Sequence, residues 1–265
     1  NYKNMNNKMT EITNKEIESF HVNGFLIMKG FYDKNEINEI RTWVYDYAGR
    51  KSDEWESGKE MAYFETSKND GTRILARIEN FLEFHEGFKN LMNSKKLMNC
   101  VESLLGKKAV LFKEKINFKK PGGGGFKPHQ DQISRWETYA QDFLNVLIST
   151  DVSNIENGCI ELTPGFYKKQ LLGPLDSPIP EKWLSQMEFK PFPLEKGDVV
   201  FFDGYAPHQS QDNKSANSRS NVYLTYNSIS EGDQRIKYFT RKRKELPPDN
   251  ERKNDFKDSP LHEYK

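Results

Sequence analysis

The hydrophobic period of this chain changes once, near Lys108. Before that point apolar residues recur at helical spacing behind capping signals; after it they alternate with polar ones in short runs punctuated by Gly, Pro and Asn. Helices first and strands second point to an α+β architecture, with N-terminal helices packed on the outside of a β-sandwich or jelly roll. Thr13-Asn14-Lys15-Glu16 and Asp33-Lys34-Asn35-Glu36 both have capping-box spacing, in which a short polar side chain and a Glu three residues on satisfy the first free amides of a helix. The first helix is predicted to run to about Asn23 and stop at Gly24. The second carries Ile37, Ile40, Val44 and Tyr47 on one face and stops near Gly49, and a third spans about Ser94 to Leu105 ahead of Gly106.

Residues 50 to 72 are polar and weakly patterned, and read as a loop or mobile lid. Strands are predicted over 108 to 119, 142 to 151, 159 to 163, 197 to 203, 206 to 211 and 219 to 227, with turns at Asn157-Gly158, Pro164-Gly165 and Lys196-Gly197-Asp198. No internal repeat is visible. The chain therefore reads as a single domain over 1–265, with 1–10 and the apolar-poor 241–265 as surface tails.

Composition narrows the function classes. Only 35% of the 265 residues are hydrophobic and 30% are charged, yet there are 18 Phe, 12 Tyr and 4 Trp, an aromatic content that a disordered chain would lack. A net charge of +1 supplies no field to gather nucleic acid or an anionic membrane, and no apolar run approaches the roughly 20 residues needed to span a bilayer. No signal-like segment opens the sequence, and Cys100 and Cys159 form neither a disulfide framework nor a CxxC pair, so a cytoplasmic location is expected. The expected partner is a small-molecule substrate, with the oligomeric state open between monomer and homodimer.

Five histidines occur, and two keep informative company. In His129-Gln130-Asp131 an extended backbone would point imidazole and carboxylate to one face. His208 follows the apolar run Val199 to Phe202. Two imidazoles and one carboxylate make the facial triad that holds non-haem Fe(II) from one side and leaves the other positions open. The eight polar residues 211 to 218 read as the connection of an antiparallel hairpin that sets Arg219 opposite His208, with Ser210 beside them. A fixed guanidinium so placed suits the far carboxylate of a short diacid whose other end could chelate iron.

These residues, with Gly197-Asp198-Val199-Val200-Phe201-Phe202 leading to Pro207-His208, resemble the phytanoyl-CoA dioxygenase-like branch of Fe(II)/2-oxoglutarate oxygenases over about residues 10 to 250. Lys115-Ile116-Asn117-Phe118, Asn157-Gly158-Cys159 to Pro164-Gly165, and Tyr223-Leu224-Thr225-Tyr226-Asn227 are similar to bacterial members acting on small phosphonates or zwitterions. The resemblance implies a double-stranded β-helix of cupin-like, jelly-roll type, iron bound by His129, Asp131 and His208, and 2-oxoglutarate held by Arg219, Ser210 and Asn117. It also implies consumption of O2 with ascorbate as an optional reductant, and oxidation of an unactivated C–H bond in a small polar metabolite, hydroxylation first. Asp131 argues against a halogenase, because related halogenases carry a small residue there.

Further candidates line up around that site. On strand 108 to 119, Lys113, Lys115 and Asn117 share one face, while Phe112, Ile116 and Phe118 share the other, apart from Glu114. Lysines facing inward could meet an anionic substrate; facing outward they would meet water. Trp136 and Tyr139 form either an aromatic wall over substrate or part of the core, and Arg77, on a strand face with Arg73 and Glu79, is a substrate contact or a structural ion pair. Pro121 to Gly125 lacks a phosphate-loop ending and reads as a flexible loop delivering His129. His21, His85 and His262 have no ligand-like spacing. Alternatives to hydroxylation are radical cyclisation or desaturation at the same iron, a non-catalytic ligand-binding β-sandwich, or a zinc hydrolase using the same three ligands.

Overall fold

The computed structural model describes residues 11–252. Its first half is mainly helical: α1 (Asn14–Asn23), β1 (Phe25–Met28), α2 (Lys34–Gly49), β2 (Met61–Thr66), β3 (Arg73–Glu79), α3 (Glu86–Met92) and α4 (Lys95–Leu105). Then come β4 (Ala109–Lys119), β5 (Phe126–His129), β6 (Phe143–Ser149), β7 (Ile160–Leu162), the single turn α5 (Glu181–Leu184) and β8 (Lys190–Pro191). The chain continues through β9 (Val199–Asp203), β10 (His208–Ser210), β11 (Arg219–Ser228) and α6 (Arg235–Glu245). Both predicted capping boxes form, at Thr13 with Glu16 and at Asp33 with Glu36, and α1 and α4 end at left-handed Gly24 and Gly106.

The strands make two antiparallel sheets, one of seven in the order β1-β9-β6-β11-β4-β3-β2 and one of four in the order β5-β10-β7-β8. Across the outer face of the large sheet, register pairs Ala62, Ile78, Ile116, Val222, Ile148, Val199 and Met28 side by side. This apolar row packs with Phe20, Ile40, Val44, Tyr47, Phe88 and Val101 of the N-terminal helices in the main core. The inner face meets the small sheet through Leu147, Val200 and Phe202 against Ile160 and Leu162. Two facing antiparallel sheets with helices outside one of them is the α+β jelly roll that the change of period predicts.

Four local expectations change. Residues 61–66, read as loop, form β2; the shift of register at Tyr63/Phe64 breaks the alternation that would reveal a strand. Phe112 does not share a face with Ile116, because a bulge opposite Thr225/Tyr226 turns it into a separate aromatic cluster with Trp136, Tyr139 and Phe143. The four-glycine run is not a loose loop: Gly124 N–H donates to Glu65, Gly125 N–H donates to Asp212, and a Cβ on Gly125 would lie 2.3 Å from the Ser210 carbonyl oxygen. Residues 241–252, expected as the start of a tail, carry the end of α6 and a 3-10 turn at Asp249–Glu251 that packs near β2. The expected tails 1–10 and 253–265, with His262, lie outside the described residues. Among the described residues no helix is long and apolar enough to cross a membrane.

Candidate metal centre and pocket

The site begins with a strand pair. β5 and β10 run antiparallel with His208 directly opposite His129, so residues 79 positions apart in sequence bring their rings to 4.2 Å between centroids. Lys127 O lies 2.7 Å from His129 Nδ1, and Ala206 O lies 3.0 Å from His208 Nδ1. Bonds to carbonyls place the proton on Nδ1 in each neutral ring and make Nε2 the donor nitrogen. Asp131 begins the 3-10 turn that follows β5, which swings its carboxylate back to 3.8 Å from His129 Nε2. One ligand atom from each of His129, Asp131 and His208 lies within 4.8 Å of the other two.

Electrostatics tune these groups for a cation. Burial, then the neighbouring His208, pull the His129 imidazole down to about 3, and burial likewise lowers His208, so both rings are neutral near pH 7. Burial alone would raise Asp131, but Lys115, His208 and His129 hold it far below the usual carboxylate range. Two neutral imidazoles and one carboxylate, converging with room on the far side, are a donor set suited to ferrous iron. The three groups thus fit the ion on the chemistry of their donors.

They open into a cavity of about 430 Å³, lined by both sheets and by α6. Arg77, Lys113, Lys115, Asn117, Ser210 and Tyr139, all singled out in the sequence, line it. Asn117 accepts from Arg77 Nε at 3.0 Å. Lys113 is 7% exposed and stacks its ammonium 4.3 Å from the Trp136 ring centroid. Burial first, then Arg77, draw Lys115 down to about 8 against the opposing pull of Asp131 and Glu79. Trp136 is 1% exposed, packed on Phe112 and Phe143, and so belongs to the core and not to the wall.

Arg219 is where the sequence-derived geometry needs correction. It is not opposite His208 in a hairpin: its partner in the ladder is Lys119 of β4, and β10 belongs to the other sheet. The connection 211–218 crosses between sheets instead of turning back, pinned by Asn213, whose amide donates to Lys119 O and whose backbone bonds Gly122 and Gly123. The guanidinium, 2% exposed, nevertheless borders a small cleft with Ser210, Asn117 and Tyr223 and donates to Gly158 O at 2.5 Å. Gly158 has φ +73°, and a Cβ there would sit 2.1 Å from Gln211 O, so only glycine keeps that carbonyl aimed at Arg219.

Several residues in or around the site were not candidates in the sequence. Lys119 continues the 113, 115, 117 alternation and donates to Ser210 Oγ at 2.8 Å, a placement its spacing could have revealed. Glu79 is fully buried and bonded to Arg77 and, at 2.5 Å, to Lys242 of α6. Tyr238, Arg241, Lys242 and Glu245 of α6 line the cavity at helical spacing; their stretch is too charged to signal a packed helix. His85, without ligand-like spacing, serves a helix end: its Nδ1 accepts from Phe88 N–H at the start of α3.

A two-sheet jelly roll with a convergent His-Asp-His centre and a buried arginine beyond it defines the class of non-haem iron oxygenases. A family model described as phytanoyl-CoA dioxygenase matches residues 20–221, and the chain belongs to that family. It is 38% identical over 248 residues to a 2-aminoethylphosphonate dioxygenase from the uncultured bacterium HF130_AEPn_1, covering 92% of each chain. It is 34% identical to a methylphosphonate hydroxylase from Gimesia maris, covering 89% of this chain and 88% of that one. Among solved structures, EctD from S. alaskensis with 2-oxoglutarate and 5-hydroxyectoine superposes with a TM-score of 0.71 at 17% identity, covering 83% of this chain and 77% of that one. That likeness speaks to the double-stranded β-helix fold. The chain is an Fe(II)/2-oxoglutarate-dependent dioxygenase that oxidises a small molecule.

Proposed function

We propose that this dioxygenase hydroxylates a small organophosphonate. The observation that carries the reading is the lysine face of β4: Lys113 and Lys115 line the cavity beside His129, Asp131 and His208, and no carboxylate lies within ion-pair distance of either among the described residues. Lysines without a directly paired carboxylate in a partly dry pocket suit an anionic substrate. Two of the relatives above are named for phosphonates, which supports that class over a carboxylate or an uncharged metabolite.

In this reading His129, Asp131 and His208 hold Fe(II), Arg219 grips the distal carboxylate of 2-oxoglutarate, and Ser210, Asn117 and Lys119 complete that end of the site. Bound together, iron, 2-oxoglutarate and O2 supply the oxidising power to replace a C–H bond by C–O–H, with decarboxylation of 2-oxoglutarate to succinate. The protein's own contribution is positional. The carbonyls of Lys127 and Ala206 fix the two rings, Lys119 orients the Ser210 hydroxyl, and Arg77 orients Asn117. Tyr139 and Tyr238 wall the cavity on the side away from Arg219, limiting water at the reacting carbon. A cytoplasmic setting, and independence of nucleic acid and membrane, go with the reading: Cys100 and Cys159 are buried thiols, and the net charge of +1 offers no field to a polyanion.

The test incubates the protein with Fe(II), 2-oxoglutarate, O2 and ascorbate, and with 2-aminoethylphosphonate, methylphosphonate or their carboxylate counterparts. Succinate and product mass are measured. Succinate matched by a phosphonate product heavier by one oxygen is expected. Turnover only with carboxylates would overturn the substrate class, and a product lighter by two hydrogens would replace hydroxylation by desaturation or cyclisation.

A further inference from the structure

Charge is divided unequally inside the cavity. At its mouth the cations already have partners: Arg135 bonds Asp176 at 2.5 Å and Arg241 bonds Glu245 at 2.9 Å. Deeper in, Arg77 and Lys242 both pair with Glu79, while Lys113 and Lys115 have no carboxylate within ion-pair distance among the described residues. Burial alone would raise Glu79, but Lys242, Arg77 and Lys113 outweigh it and hold the carboxyl down at about 2. Burial, then Lys115 and Lys242, push the Lys113 ammonium well below its ordinary range, and burial lowers Lys242 as well, so the charged state of this cluster is costly until a counter-anion enters.

The position of the cluster matters as much as its charge. Along β4, alternate residues step by roughly 6.6–6.8 Å. Asn117 stands at the end shared with Ser210 and Arg219, Lys115 faces Tyr223 and Asp131, and Lys113 lies one step further from Arg219. There the ring of Tyr238 has Lys113 Nζ 5.5 Å and Lys242 Nζ 5.8 Å from its centroid. Lys242 comes from α6, whose first turn is fastened by Arg235 to the buried Glu114 and whose last turn is fastened by Lys242 to Glu79. The two ends of the cavity are thus both cationic, but built from different elements.

Resting on the phosphonate reading above, we propose that Lys242 of α6 and Lys113 of β4 form a headgroup seat for the dianionic phosphonate, and that Glu79 is a positioning residue that holds Lys242 and Arg77 toward it. Three phosphonate oxygens offer more acceptors to several ammonium groups than the two of a carboxylate, so the seat favours a phosphonate over the matching carboxylate. Glu79 touches no substrate; it holds the side chains that do.

The test is calorimetric titration of the iron-loaded protein, kept anaerobic, with 2-aminoethylphosphonate, methylphosphonate and, separately, 2-oxoglutarate. Lys242→Met should weaken the phosphonates by about 10- to 100-fold, the loss of one charge-assisted hydrogen bond, and 2-oxoglutarate by less than about twofold. Lys242→Arg should restore most of the phosphonate affinity, and Glu79→Gln should weaken the phosphonates in the same direction by less. Equal weakening of phosphonate and 2-oxoglutarate by Lys242→Met would overturn the seat in favour of a cosubstrate role. Unchanged phosphonate affinity in Lys242→Met would overturn it outright while leaving the phosphonate reading intact. Failure of the unaltered protein to bind either phosphonate would instead overturn the substrate class itself.

Discussion

Two rows of residues, one position apart on the same seven strands, show how differently the two faces of a sheet can be used. The outer row of Ala62, Ile78, Ile116, Val222, Ile148, Val199 and Met28 is apolar from end to end. The inner row of Met61, Glu79, Lys115, Tyr223, Leu147, Val200 and Ile27 changes character midway. Its apolar half packs on the small sheet, and from the other half Lys115, beside Tyr223, lines the cavity while Glu79 is buried behind it. One hydrogen-bond ladder therefore carries a dry stabilising face and a face that turns polar where it meets the cavity. Stability should reside in the outer row and chemistry in the inner one.

The strongest way to break that division is His208→Ala. Loss of a triad member should reduce iron affinity and 2-oxoglutarate turnover by more than the roughly 10- to 100-fold typical of removing an outer-shell partner. The urea midpoint should move far less than for outer-face changes. Comparable loss of stability would mean that the inner face also holds the fold. Next is Arg235→Met, which strips the two-pronged partner from Glu114 on the outer side of β4 and leaves a buried carboxylate unpaired. Chemical denaturation should show a loss of about 3–5 kcal/mol. Ile116→Ala, in the middle of the outer row and fully buried, should cost about 2–5 kcal/mol while turnover per folded molecule is retained.

A subtler comparison uses pH. Glu79 is held at about 2 in the folded protein against its ordinary value of 4.5. Its contribution is therefore fully present above 4.5 and disappears as pH falls from 4.5 toward 2. Unfolding free energies of the protein and its Glu79→Gln variant should differ by on the order of 2–3 kcal/mol at neutral pH and converge across that window. A constant gap would mean that the inner charges do not bear on folding. The smallest effect is expected far from either row: Thr13→Ala removes the cap of α1 and should cost about 1 kcal/mol with no effect on turnover.

What could be read in advance follows from how local each signal is. Capping boxes and period-two runs are local, so α1, α2, α4 and the six predicted strands fall within a few residues of expectation, whereas the short β5 and β8 carried too few residues to show a period. His129, Asp131 and His208 were legible because an HxD and a later His carry ligand chemistry in their own side chains. Arg219 was identified by its chemistry but misplaced in space, since eight polar residues look alike whether they close a hairpin or carry the chain to another sheet. Lys242 was invisible: it lies in a charged helix, and its own buried partner, Glu79, is 163 residues away. Long-range pairing of charge leaves no period in a sequence.

The direct opposition of His208 and His129 also makes the centre a gauge of correct assembly. Because side chains alternate along a strand, a one-residue slip of β10 would turn Gln209 inward and His208 away, while changing little in helix content or compactness. The fraction of a preparation able to take up stoichiometric iron therefore counts the molecules whose two strands have met in register, a quality measure that spectroscopic folding assays would overlook.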